Sequence, residues 1–103
     1  MPGPTQKRYR LRAEVWLYPG KGGWHFVTLD ADLSAEIRST SGGADSAWGS
    51  LKVLTTIGGT QWKTSLFPDS KSRRYQLPIK ANVRIKENVG VGDTITCLIE
   101  LGD

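Results

Sequence analysis

The chain has 103 residues, which is enough for one domain and no more. Hydrophobic residues make up 38% and charged residues 23%, a balance that fits a soluble globular domain and excludes a disordered or fibrous chain. The net charge is +4, and the single cysteine, Cys97, excludes an intramolecular disulfide and a cysteine-based metal cluster.

Residues 1–6 carry Pro2, Gly3 and Pro4 and are expected as a frayed leader, with one domain over 7–103. From Lys7 the pattern alternates. Tyr9, Leu11, Ala13, Val15 and Leu17 fall on one face, and Arg8, Arg10, Arg12 and Glu14 on the other, followed by Trp16 and Tyr18. This predicts a single strand with one buried face. Pro19-Gly20-Lys21-Gly22-Gly23 breaks it, and residues 24–29 form the second strand. Asp30 reads as a helix N-cap. Leu33 and Ile37 sit on one face of a helix over 31–40, with Asp32 in the first turn, Arg38 in the last, and Gly42-Gly43 closing it.

Residues 50–57 alternate again, with Leu51, Val53 and Ile57 on one face. Gly58-Gly59 then joins this strand to the next, 60–67, as a tight hairpin, because such turns need positive φ. Pro68-Asp69-Ser70 opens a polar turn. A fifth strand covers 74–79, with Pro78 marking an edge or a strand end. Residues 80–88 read as a second short helix with Val83 and Ile85 packed inwards. The last strand is 94–101, with Ile95, Cys97, Ile99 and Leu101 on its apolar face. The order is ββαβββαβ, mainly β. Six short strands with two short helices most naturally close into a small barrel.

Several stretches in this order carry a resemblance. They are Glu14-Val15-Trp16, Trp24-His25-Phe26-Val27, Trp48-Gly49-Ser50, Thr56-Ile57-Gly58-Gly59-Thr60, Trp62 to Pro68, Leu77-Pro78-Ile79-Lys80, Arg84, and Val91-Gly92-Asp93-Thr94. Together they resemble an uncharacterised bacterial domain family of unknown function. Its members occur alone or fused to a YdeI/OmpD-associated domain. The resemblance implies a double-split β-barrel, an architecture shared with AbrB-type transcription regulators and MazE-type antitoxins, so the expected fold is a small closed six-stranded barrel of that kind. It implies no reaction and no ligand.

The residues themselves argue against catalysis. His25 is the only histidine, and no spacing supplies a nucleophile with an oriented base, so no enzyme, cofactor or metal is expected. The glycine loop with Lys21 lacks the Gly-Lys-Ser/Thr ending of a nucleotide-hydrolysing loop. It can present N–H groups to an anion or serve as a plain connection. Lys80 stands at a predicted helix start with Arg84 one turn on, a pairing that suits a carboxylate or phosphate. The competing reading is salt bridging to Asp93, Glu87 or Glu36. Trp48 and Trp62 are expected in the core and Cys97 as a buried, inert thiol, whereas Tyr18 and Trp24 flank the loop as a pocket mouth.

These elements assemble into an expectation of a non-enzymatic binding module. It would take a small anionic or amphipathic ligand, or a protein segment, at one barrel end through Tyr18, Lys21, Trp24, His25, Thr64, Ser65, Lys80 and Arg84. The alternative is a nucleic-acid-binding regulator, by analogy with the AbrB-type fold. It would act through a basic face of Arg8, Arg10 and Arg12 with Lys71, Arg73 and Arg74. Residues 50–86 hold eight basic residues and one acid, a block that can steer anions to one surface or serve as a plain solvated face. A monomer and a homodimer are equally compatible with the sequence. No apolar run approaches the roughly 20 residues that span a bilayer, and the N-terminus lacks the apolar stretch of a signal peptide. A cytoplasmic location is therefore expected.

Overall fold

Nine elements follow one another through residues 8–40 and 49–101, the parts described by a computed structural model. They are β1 (Arg8–Glu14), β2 (Trp16–Leu17), β3 (His25–Thr28), α1 (Ala31–Thr40), β4 (Leu51–Ile57), β5 (Thr60–Asp69), β6 (Arg74–Pro78), α2 (Ala81–Glu87) and β7 (Thr94–Leu101). The expected leader, Trp48 and the Gly42-Gly43 helix stop lie outside the described residues.

Local chemistry accounts for most boundaries. Asp30 caps α1, its Oδ1 accepting from the Leu33 N–H at 2.7 Å. Asn88 ends α2 in the left-handed conformation, at φ 54° and ψ 51°. Gly58, at φ 56°, turns β4 into β5. Pro78 is the last residue of β6, so it ends a strand, but β6 is an interior strand. One inward assignment fails. Val83 is buried while Ile85 is exposed, because residues two apart on a helix point to nearly opposite sides.

All strand pairings are antiparallel, and the order is β1-β7-β4-β5-β6-β3-β2. The described residues form seven strands where the sequence predicts six. The long first strand divides at Val15. Up to Glu14 the chain pairs with β7, whereas Trp16 and Leu17 pair with β3. Val15 is the pivot, donating its N–H to Asp93 O and accepting from Gly92 N–H, both at 2.9 Å. Consecutive segments of one chain thus form the two edges of the sheet, which curls into a half-barrel.

The concave face holds the core. Val15, Val27, Leu66, Leu77, Cys97 and Ile99 are fully or almost fully buried there, and Trp62 joins them as expected. Each large apolar side chain contributes about 1.5–3 kcal/mol. The helix α1 packs against β6 through the buried Ile37 and Ser34. Among the described residues no helix is long and apolar enough to cross a membrane.

Candidate functional site

Alternation fixes what the convex face presents. The register places Trp16, Phe26 and Pro78 in one row across β2, β3 and β6, and Thr28, Gln76 and Phe67 in the next. The loop between β2 and β3 adds two more rings. Gly22 and Gly23 adopt φ of 98° and 65°, which bends the chain so that Tyr18 N–H reaches Trp24 O at 2.8 Å. Phe26 becomes the hub of a ring cluster. Trp24 stacks on it at 5.9 Å and 10°, Trp16 lies tilted at 5.3 Å, and Tyr18 meets it edge-on at 6.2 Å.

Tyr18, Trp24, Phe26 and Phe67 line a shallow cleft of about 250 Å³. Tyr18, Trp24 and Phe67 are 46%, 50% and 43% exposed. Scattered exposed hydrophobics are ordinary, but contiguous aromatic surface left in water marks an interaction site. Lys21 is exposed at the tip of the adjoining loop, and Ser65 shares the convex face two residues before Phe67.

His25 and Arg84 are brought together elsewhere. His25 pairs with Leu17 and shares the inward side of β3 with the buried Val27, at the rim of the sheet. Its Nδ1 lies 2.7 Å from Gly23 O, and its Nε2 lies 3.4 Å from Arg84 Nη1. These contacts fit the Nδ1–H tautomer, donating to the carbonyl and accepting from the guanidinium. Arg84 Nε also donates to Ile79 O at 3.0 Å. The pair ties the glycine loop to α2, and the Ile79 bond ties the same side chain to the chain just before that helix.

Of the three acids foreseen as partners, Asp93, Glu87 and Glu36, the first two are engaged otherwise. Asp93 accepts from Gly90 N–H at 2.8 Å, and Glu87 accepts from Thr60 Oγ1 at 2.5 Å. The sheet therefore lies between Tyr18 and Trp24 on one side and His25 and Arg84 on the other. Thr64 is half-buried on the inward side of β5 opposite Val53, and Lys80 is exposed at the N-cap of α2 with no side-chain cap bond.

The basic residues form two groups. Arg8, Arg10 and Arg12 project from the convex side of β1, and the register continues their rows across the sheet. One row runs Arg8, Glu100, Leu54, Lys63, with Arg8 Nε 3.4 Å from Glu100 Oε2. Lys52 stands opposite Ser65 on the same side. At the seam between β1 and β3, Arg12 and Arg74 line a cleft of about 300 Å³ together with Glu14 and Asp30, so its charge is balanced. Arg74 Nε is bonded to Leu29 O at 2.8 Å. Lys71 and Arg73 are exposed in the turn between β5 and β6. That turn is closed by Asp69, whose carboxyl is held below its usual range by Ser72 Oγ–H and N–H.

Phe26, Phe67, Lys52 and Lys63 belong to these surfaces and escaped the sequence reading. Strict alternation through 61–67 was the available signal, since it sets Lys63, Ser65 and Phe67 on one side. Among the described residues no three His, Cys, Asp or Glu side chains gather to hold a metal ion. A family model described as a domain of unknown function, DUF1905, matches residues 12–99. No curated protein matches the chain.

Proposed function

The chain belongs to the DUF1905 family, and from that premise we propose a non-enzymatic binding module whose site is the convex aromatic cleft. The observation that carries this reading is the exposure of three large rings around Phe26. A core has no use for them there, and water penalises them. The ligand class is amphipathic and anionic. A planar apolar body would lie between Tyr18, Trp24 and Phe67, with Lys21 supplying the charge at the rim. The seam fits this reading as well. With both edges made by one continuous segment, the curl acts as a closed, split barrel, a rigid support for the cleft.

Titration with an aromatic sulfonate such as anilinonaphthalene sulfonate tests the site. Saturable quenching of tryptophan fluorescence and a rise in Tm are expected, both weakened about tenfold in affinity by Trp24→Ala or Phe67→Ala. Failure of the unaltered protein to bind, or binding by both variants as tight as that of the unaltered protein, overturns the reading.

A further inference from the structure

We infer that the cleft takes the bases of single-stranded nucleic acid, with the phosphates running along the lysines of β4 and β5; this rests on the cleft being the binding site. Size comes first. At about 250 Å³ the cleft falls below the roughly 300–1,000 Å³ of a pocket that swallows a whole small molecule. It fits one or two planar groups of a longer ligand that runs on across the surface.

What lies beside the cleft selects that ligand. Along the convex side of β5, Ser65 and Lys63 follow Phe67 at two and four residues, with Lys52 directly across from Ser65. At ~3.4 Å per residue these positions lie roughly 7 Å and 14 Å along the strand from Phe67. Lys21 stands on the far side in the loop. The acid on that strand, Asp69, lies two residues past Phe67 in the direction away from Ser65 and Lys63, so its charge sits off the line of the lysines. Beyond Lys63 the same face continues through Leu54 and Glu100 to Arg8.

Aromatic rings that accept flat groups, bordered by cations on a continuous open sheet, are the two components of single-strand recognition. A proline-rich peptide would also suit the rings but gains nothing from the lysines. Duplex DNA keeps its bases stacked internally and cannot use the rings.

Fluorescence anisotropy with a labelled oligothymidylate is the test. The protein should bind it with accompanying tryptophan quenching, and duplex of the same length should bind at least tenfold more weakly. The slope of log affinity against log salt should be roughly −2, which is ~0.7 for each phosphate met by Lys21, Lys52 and Lys63. Trp24→Ala and, independently, Phe67→Ala should each weaken binding about tenfold. Lys52→Gln with Lys63→Gln should flatten the slope by roughly 1.4.

Binding of the sulfonate without the oligonucleotide overturns this inference and leaves the cleft as a site. Binding of neither overturns both. Oligonucleotide binding indifferent to the ring variants, or capture of a proline-rich peptide in place of the oligonucleotide, also overturns it.

Discussion

Cys97 shows how far a single position can be argued. It alternates inwards on β7, is fully buried, and has only apolar burial acting on its thiol, which is pushed up to about 12. The neutral thiol is the form the fold accepts, and the thiolate is the form it excludes. An unfolded chain ionises the same group near pH 9, so stability from this source is complete below that value. It is lost between pH 9 and about pH 12, at up to ~1.4 kcal/mol per pH unit. Urea midpoints measured against pH should descend in that window, and Cys97→Ala should remove the added descent. Below pH 9 the thiol should resist a maleimide until denaturant is added. The burial and inertness of this thiol were legible in the sequence, because alternation decides which side of a strand a residue occupies. His25 was not so legible: its imidazole is fixed by Gly23 O and Arg84, partners 2 and 59 residues away, and the second separation leaves no local trace.

Elements were legible where their signals are local. Asp30 begins α1, and Gly58 turns the central hairpin, each by chemistry confined to a few residues. The division of the first strand at Val15 has no such signal, since neither glycine nor proline marks it. What divides it is the choice of partner, β7 before and β3 after, and that choice exists only once the sheet has curled. The join between α1 and β6 is equally non-local. Beyond Thr28 the pairing between β3 and β6 becomes one-sided: Leu29 N–H still reaches Tyr75 O at 2.9 Å, but the Tyr75 N–H is accepted by Ser34 Oγ of α1 at 3.0 Å. Ser34 is fully buried, so removing the hydroxyl strands a backbone donor away from water. Ser34→Ala should cost about 1–3 kcal/mol in urea denaturation, with Ser34→Thr recovering part of it. Hydrogen exchange at the Tyr75 amide should accelerate by more than exchange elsewhere in β6. If stability and exchange are unchanged, the helix is not anchored through this bond.

At the scale of the whole molecule, one sheet divides the labour between its faces. The eight residues gathered by the sequence for one site fall on different sides because the pattern of residue types does not report the direction of curl. The rings and flanking lysines take the convex side, where nothing else in the described residues covers them. His25 and Arg84 take the rim of the concave side, where each contact they make goes to the protein itself. An arginine held by a carbonyl and an imidazole acts first as a brace. Arg84→Met keeps much of the side-chain bulk while leaving Ile79 O and His25 without their donor. It should lower stability by about 1–3 kcal/mol and leave sulfonate and oligonucleotide affinities at the cleft within about twofold. A loss of affinity at unchanged stability would reverse the assignment, moving the ligand through the sheet rim to the guanidinium. Pairing that variant with Trp24→Ala separates the two cases. Independent effects add if brace and cleft act from opposite faces. A non-additive loss means the shared backbone of Trp24 and His25, consecutive residues at the end of the glycine loop, transmits one to the other.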